Sequence, residues 1–208
     1  KNLITNDWVM FAPNRTSRPV DFKKDELNQL EEMLQRPEAR EDCPFCQGNE
    51  SKDGEVCQFD KGDSWSVRVI ENKFASLDRT KHPKKSFRHL HNEMEGFGIH
   101  DVIVDTPKHN RTIALLNNNE IVELLKMYRK RYLEISVTEH VRHVVIFKNQ
   151  GYKAGGSLEH PHSQIYGLPV IPFQLRVRLN EAKKYFDSHS GCLMCDMIEA
   201  EKNDEVRL

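Results

Sequence analysis

The chain has 208 residues, of which 38% are hydrophobic and 30% charged, and its formal net charge is −1 at pH 7. Its mean hydropathy is −0.70, and no apolar run approaches the ~18 residues of a membrane-spanning helix. The sequence therefore predicts a soluble globular protein with a sizeable core and no membrane association. The near-neutral charge gives no bias toward nucleic acid or anionic lipid, so we expect neither as a partner.

Four of the five cysteines form two Cys-x-x-Cys pairs, Cys43/Cys46 and Cys192/Cys195. In a chain without a secretory pattern, such pairs favour metal or redox sites over disulfides, and we expect a cytoplasmic protein. The first pair has the form of a zinc knuckle, because two thiolates separated by two residues fold back onto one tetrahedral ion. A thioredoxin-like redox pair is the alternative, but that motif belongs at a strand-to-helix junction. Each pair supplies two ligands of four, and no Cys or His follows the second pair.

The predicted elements alternate between strands and helices along the chain. β-Branched and aromatic runs predict strands at residues 8–12, 65–70, 99–105, 142–147 and 164–168, and helical spacing of apolar residues predicts helices at 25–36, 118–137 and 172–188. The strand at 142–147 is almost wholly apolar, so we expect it to be central in a sheet. The basic run at 81–91 contains three histidines and is expected to be a solvated loop.

The helix at 118–137 carries the clearest local signals. Asn117 and Glu120 have the spacing of a capping box at its N-terminus. Its apolar residues, among them Leu124 and Tyr128, mark one face, and charged residues mark the other. We therefore predict an α+β protein in which a largely antiparallel sheet carries this long helix on one face.

Two arginines three positions apart, Arg15 and Arg18, lie in the loop that follows the first predicted strand. Taken alone, the segment is typical of a solvated loop. The alternative is an anion clamp, because guanidinium groups match pairs of phosphate oxygens.

Residues 155–165, Gly-Gly-Ser-Leu-Glu-His-Pro-His-Ser-Gln-Ile, place small residues, two histidines and a glutamine at the start of a predicted strand. A neutral histidine is nucleophilic toward phosphorus when a carbonyl holds its second ring nitrogen. Gly155, Gly156 and Ser157 can bring backbone N–H groups and a hydroxyl to phosphate oxygens, and Gln164 adds a neutral donor. The stretch therefore predicts phosphoryl or nucleotidyl transfer.

This stretch, with Asn149-Gln150-Gly151 before it, resembles the active-site signature of the galactose-1-phosphate uridylyltransferase family, a branch of the histidine-triad superfamily. The resemblance extends along nearly the whole chain, through residues 8–19, 69–72 and 107–109 and both cysteine pairs. It implies a histidine-triad-like α+β fold with a mostly antiparallel sheet. It also implies a transferase that exchanges UMP between UDP-glucose and galactose 1-phosphate.

The resemblance assigns roles to individual residues. His162 would be the nucleophile that forms a covalent uridylyl-histidine, and Gln164 would bind the phosphoryl group. Asn72, Asn149 and Ser157 match nucleotide or phosphate contacts. Arg15 and Arg18 match arginines that reach a neighbouring subunit's site, which implies a homodimer. Four residues match the ligands of a structural zinc site: Cys43, Cys46, His109 and His160.

Family members contain two tandem repeats, so the resemblance implies an N-terminal domain at residues 1–170, with residues 171–208 as a connecting helix and the start of a second repeat. Cys192 and Cys195 would begin a second metal site. They are closer to the branch represented by plant ADP-glucose phosphorylase, so an adenylyltransferase that uses ADP-glucose is the alternative. A zinc-knuckle module that binds nucleic acid is a more distant one, since the aromatic residues follow core periodicities.

Overall fold

The computed structural model describes residues 10, 34–51, 53–62, 64–88 and 91–204. The strands in these ranges are β1 Glu55–Lys61, β2 Ser64–Glu71, β3 Lys85–Arg88, β4 His91–Met94, β5 Ile99–Val104, β6 His143–Phe147 and β7 His162–Leu168. The α-helices are α1 Asn118–Ser136, α2 Phe173–His189 and α3 Leu193–Asp204. The chain divides into two compact units, one of residues 10–85 and 94–170, the other including 86–93 and 171–204.

The first unit is built on a five-stranded sheet with the strand order β1-β2-β5-β7-β6, in which every neighbouring pair is antiparallel. Helix α1 packs on one face of this sheet. These findings confirm the predicted α+β class, the mostly antiparallel sheet and the helix on one face. Within the described residues, no helix has the length and apolar character needed to cross a membrane.

The face under α1 is the larger hydrophobic core. The helix contributes the buried side chains of Leu124, Met127 and Ile135 to it. The capping box is confirmed, since Asn117 and Glu120 each accept the backbone N–H of the other. Burial of a large apolar side chain, such as Leu124 or Ile135, contributes about 1.5–3 kcal/mol to folding. The strands contribute Val67, Val69, Ile99, Ile103, Val144 and Ile165.

The opposite face of the sheet carries a smaller cluster that includes the first cysteine pair. Val102 and Val104 of β5 pack there against Cys43, Phe45 and Cys46. Because side chains alternate between the two faces of a strand, residues 162 and 164 of β7, which pair with Val104 and Val102, face this cluster as well. The sheet thus separates a structural core from a face rich in Cys, His and Gln.

Three predictions about individual segments are wrong or fall short. Strand β6 lies at the edge of the sheet rather than at its centre, because an apolar run shows burial without showing how many strands flank it. The run at 81–91 contains β3 and the start of β4, which form a separate two-stranded sheet. Strand β7 begins at residue 162, two residues earlier than predicted, so the second histidine lies on the strand itself.

Part of the predicted N-terminal structure lies outside the described residues. This applies to Arg15 and Arg18, to the strand at 8–12 apart from Met10, and to most of the helix at 25–36. The helix predicted at 172–188 is confirmed as α2, which ends at Ser190 in the left-handed conformation with φ 55°.

Candidate active site and metal cluster

Two cysteines and two histidines come together on the face of the sheet opposite α1. Cys43, Cys46, His109 and His160 are all buried, and their ligand atoms lie within 4.8 Å of one another. Cys46 Sγ is 3.5 Å from Nδ1 of His109 and 3.5 Å from Nδ1 of His160, and Cys43 Sγ is 3.7 Å from the same His160 atom. Tetrahedral zinc with ordinary bond lengths separates sulfur and nitrogen ligands by about 3.6 Å. The cluster therefore fits a metal ion of this type.

The groups around the cluster orient its ligands as a metal site requires. His160 Nε2 is 2.8 Å from the carbonyl oxygen of Thr106, a hydrogen-bond distance. Among the described residues, His109 Nε2 has no hydrogen-bond partner and faces a carboxylate oxygen of Glu159 at 3.7 Å. The backbone N–H of Arg40 donates to Cys46 Sγ. Metal-bound histidines commonly direct their second nitrogen at a carbonyl or carboxylate, which fixes the ring and raises its basicity. Both histidines thus present Nδ1 to the centre of the cluster.

Burial controls the protonation of these ligands. It lowers the pKa of His160 to about 3 and also lowers the pKa of His109, although Glu159 opposes the second shift. It raises the pKa of the Cys43 thiol to about 12. The imidazoles are therefore neutral and ready to bind a cation, whereas the Cys43 thiol releases its proton only when a cation takes its place.

His162 lies two residues beyond a cluster ligand, at the first position of β7. Its Nδ1 is 2.8 Å from the carbonyl oxygen of His160. Because a carbonyl only accepts, this bond places the ring proton on Nδ1 and leaves the lone pair on Nε2. Lys148 Nζ donates to the carbonyl oxygen of His162 and also pairs with the buried carboxylate of Asp105 at 2.7 Å. Hydrogen bonds therefore fix both the carbonyl group and the ring of His162.

A cavity of about 640 Å³ opens beside His162. It brings together His162 and Gln164, which the family resemblance assigned to catalysis, and Ser157 and Asn72, which it assigned to substrate binding. Phe45, whose ring centroid lies 5.4 Å from that of His162, also lines it. Its remaining wall combines apolar and charged groups: Pro44, Asn49, Ser51, Asp53, Gly54, Arg68, Ile70, Glu71, Lys73, Phe74, Val102 and Leu158. The size and the mixed lining suit a nucleotide.

Asn149, Gly155 and Gly156 are not among the residues that line the cavity. Gly155 has φ +80°, and the backbone N–H of Gly156 donates to the carbonyl oxygen of Gly151 at 2.9 Å. The loop therefore uses this donor to close on itself, and phosphate binding by Gly155 and Gly156 stays a prediction.

Gly156→Ala is expected to distort this loop. A Cβ there would lie 2.9 Å from Gly151 O and 3.1 Å from Asn149 O, both backbone atoms that cannot move independently. We expect a loss of about 1–3 kcal/mol in the free energy of unfolding. Denaturant titration measures this effect. Gly96→Ala is the control, since a Cβ at Gly96 meets nothing within 4 Å, and an equal loss in both variants would contradict the explanation.

Cys192 and Cys195 lie in the second unit, at the start of α3, and both are exposed. The backbone N–H of Cys195 is 3.4 Å from Cys192 Sγ. Across the part of the chain that the structure describes, no third His, Cys, Asp or Glu joins this pair in a metal-binding group. A second metal site at this pair stays a prediction.

Sequence reasoning missed several residues that shape the site. Glu159 is flanked by Arg36 and Arg40 and faces His109, yet nothing in its spacing marks it. His100 is buried and contacts Gln164. The sequence could have indicated its position, because residues 100, 102 and 104 of the predicted strand lie on the same face of the sheet.

Comparison with known proteins shows where the chain belongs. Residues 1–172 match the model of the galactose-1-phosphate uridyl transferase N-terminal domain. ADP-glucose phosphorylase of Arabidopsis thaliana is 34% identical over 201 residues, covering 94% of this chain and 55% of that one. Galactose-1-phosphate uridylyltransferase of Thermotoga maritima is 27% identical over 205 residues, covering 96% and 55%.

The solved structure of the Arabidopsis thaliana ADP-glucose phosphorylase with bound ADP-glucose has a TM-score of 0.65 at 32% identity and covers 94% of this chain and 56% of that one. A solved uridylyltransferase gives a TM-score of 0.64 at 25% identity. These similarities confirm the fold that the resemblance implied. The chain spans about half the length of the curated relatives it matches. By its sequence and its fold, the chain belongs to the galactose-1-phosphate uridyl transferase family.

Proposed function

We propose that the protein transfers a nucleoside monophosphate between a nucleotide-sugar and a sugar 1-phosphate through a covalent nucleotidyl-His162. The observation that carries this proposal is the bond from His162 Nδ1 to the His160 carbonyl oxygen, at 2.8 Å. It makes Nε2 the nucleophilic nitrogen of a histidine that lines a cavity of nucleotide size. A histidine fixed in this tautomer needs no separate base to activate it.

In the first step, the lone pair of Nε2 attacks the α-phosphorus of the nucleotide-sugar. A P–N bond forms, the bond from the α-phosphorus to the bridging oxygen breaks, and the sugar 1-phosphate leaves with the electron pair. In the second step, a phosphate oxygen of the acceptor attacks the same phosphorus, and the P–N electrons return to Nε2. No net proton transfer is required, so His162 Nδ1 keeps its proton throughout.

Other residues bind the substrate and support the nucleophile. Gln164 and Ser157 donate to oxygens of the transferring phosphoryl group, and Asn72 contacts the nucleotide where β2 ends. Cys43, Cys46, His109 and His160 would hold a zinc ion, which would anchor the turn that precedes the nucleophile. We also propose that the protein is a homodimer in which Arg15 and Arg18 reach the partner's substrate, and that residues 171–208 lead into a second repeat.

The donor substrate is either a uridine diphosphate sugar or an adenosine diphosphate sugar. UDP-glucose with galactose 1-phosphate is the assignment that the family name favours. ADP-glucose is the second candidate, because the chain is 34% identical to an ADP-glucose phosphorylase, against 27% to a uridylyltransferase. The proposed chemistry at His162 is the same in both cases.

Incubation with nucleotide-sugars labelled at the α-phosphate tests the proposal. We expect the chain to acquire label through a bond that is labile in acid and stable in base, as phosphohistidine bonds are. Labelled UDP-glucose and labelled ADP-glucose, compared at equal concentration, identify the preferred nucleotide. If neither compound labels a chain that binds the nucleotide, the covalent mechanism is wrong.

A further inference from the structure

His100 is a buried histidine next to the proposed active site that belongs neither to the metal cluster nor to the nucleophile. It lies on β5, is 2% exposed, and occupies the face of the sheet that carries His162 and Gln164. Its Nε2 is 2.8 Å from Oε1 of Gln164 and 2.9 Å from Nδ2 of Asn72. One imidazole nitrogen therefore contacts two amides that both line the cavity.

The other ring nitrogen of His100 fixes the tautomer. The backbone N–H of Ser76 donates to His100 Nδ1 at 3.1 Å. A backbone N–H is always a donor, so Nδ1 must be unprotonated and the proton of the neutral ring must be on Nε2. The same contact excludes the imidazolium form, in which both nitrogens are donors.

The tautomer determines which way the Gln164 amide faces. Because Nε2 of His100 is a donor, it is paired with the oxygen of Gln164 and not with its nitrogen. An amide with its oxygen held on one side presents its NH₂ group on the other, and Gln164 lines the cavity. His100 thereby turns Gln164 into a donor toward the site.

Asn72 is oriented by a separate contact. Its Oδ1 accepts the backbone N–H of Phe74 at 2.9 Å, which places Nδ2 on the side of His100. Since His100 Nε2 carries a proton, the Asn72 nitrogen cannot donate to it, and the contact between these two nitrogens is not a hydrogen bond. The two amides thus have their oxygens on internal donors, and both lie at the cavity wall.

The histidine itself is held rigidly. The ring of Tyr166 lies over it, with centroids 4.2 Å apart and a tilt of 31°, and the Tyr166 hydroxyl is 2.6 Å from Ser76 Oγ. The Asn72 backbone N–H donates to the His100 carbonyl oxygen at 3.1 Å. Ring position, tautomer and both amide orientations are therefore parts of one hydrogen-bonded unit.

We propose that His100 is a positioning residue whose Nε2–H fixes the amide of Gln164, so that the Gln164 nitrogen faces the phosphoryl group of a bound nucleotide as a donor. The role in transfer rests on the proposed function. The selection of the amide orientation does not, because it follows from contacts within the protein.

Two substitutions of His100 separate its two bonds. In His100→Gln the terminal amide lies near the position of Nε2 and retains a donor for Gln164. In His100→Asn the shorter amide lies near Nδ1, keeps the acceptor for Ser76 and loses the donor. We expect His100→Asn to lower the rate of nucleotidyl transfer about 10- to 100-fold, and His100→Gln to retain most of the rate.

A double substitution distinguishes positioning from general structural support. Once Gln164→Ala has removed the oriented amide, adding His100→Asn should lower the rate of nucleotidyl transfer by less than about twofold, because the two residues act as one unit. If His100→Asn is as active as the unsubstituted chain, or if its full loss persists beside Gln164→Ala, the proposal is overturned.

The tautomer of His100 can be measured without an activity assay. In ¹⁵N NMR spectra of the chain, His100 should show a protonated Nε2 and an unprotonated Nδ1. A proton on Nδ1 would overturn the proposal even in an active protein. If the chain is not labelled by any nucleotide-sugar, the transfer mechanism fails, and the NMR result together with ADP and UDP binding to His100→Asn still decides the orientation of the amides.

Discussion

Substitution of His162 by alanine is expected to abolish the proposed nucleotidyl transfer, with a loss of about 10⁴-fold or more. The reason is that the covalent intermediate needs an imidazole lone pair beside the cavity, and among the described residues that line the cavity only His162 carries an imidazole. The free energy of unfolding should change little, because His162 is only partly buried at the start of β7. Measurements of single-turnover transfer and of covalent labelling check the expectation.

His162→Asn is the matched variant for this experiment. The asparagine amide can still donate to the His160 carbonyl oxygen, so the backbone geometry is retained, but no atom replaces Nε2. We expect it to be as inactive as the alanine variant. His82→Ala, which changes an exposed histidine away from the described cavity lining, serves as the control for nonspecific effects. Covalent label that persists in either His162 variant would show that another residue is the nucleophile.

The local sequence predicts the scaffold of this site well, because the relevant signals are short-range. The capping box of Asn117 and Glu120 and the apolar face of α1 specify the helix that supports the sheet. The spacing of Cys43 and Cys46 likewise specifies a turn that brings two thiols together. In each case the interacting residues are within one or two turns of one another, where spacing alone determines which side chains meet.

Relations between distant segments are not visible in the same way. The edge position of β6 depends on which strands pair, and an apolar run such as Val144-Val145-Ile146-Phe147 is compatible with either position. His100 and Gln164 are 64 residues apart, and their contact depends on the register between β5 and β7. The partnership of His109 with the cysteines was reached through the family resemblance, since a lone histidine after a strand has no local signal.

The two histidines within residues 155–165 show both what the local sequence indicates and what depends on the fold. Proximity in sequence suggests two similar residues, but the strand begins at His162 and the turn ends before it. His160 is fully buried and directs Nδ1 at Cys46, whereas His162 lines the cavity and directs Nδ1 back at the His160 carbonyl. The same type of side chain therefore has a proposed metal-binding role at the buried position and a proposed catalytic role two residues later, where it is only partly buried.

Loss of a ligand of the metal cluster is expected to have the second large effect. His109→Ala and Cys43→Ser should each remove the bound metal and lower the free energy of unfolding by about 3 kcal/mol or more, because binding energy at a structural site is folding energy. Metal content per chain and denaturant titration provide the measurements. A chelator should destabilise the unsubstituted chain and leave His109→Ala unchanged.

Cys57→Ser is the matched control for the thiol substitutions. Cys57 is half-buried on β1 and contacts Met127 Sδ at 3.7 Å, away from the cluster, so this variant should keep its full metal content. If Cys43→Ser and His109→Ala both retain the metal, the four-residue ligand set is wrong.

The pH dependence of metal affinity follows from the same burial that forms the cluster. The Cys43 thiol has a pKa raised to about 12, so it is protonated at neutral pH and must release that proton when the metal binds. His160, with a pKa lowered to about 3, is already neutral and releases none. Affinity should therefore rise with pH, by up to about tenfold per pH unit for each proton released. Competition with a chelator of known affinity between about pH 6.5 and pH 8 measures the slope. A slope of zero would mean that the thiol is not a ligand, and a negative slope would require a group that gains a proton on binding, which the buried donors of this cluster do not offer.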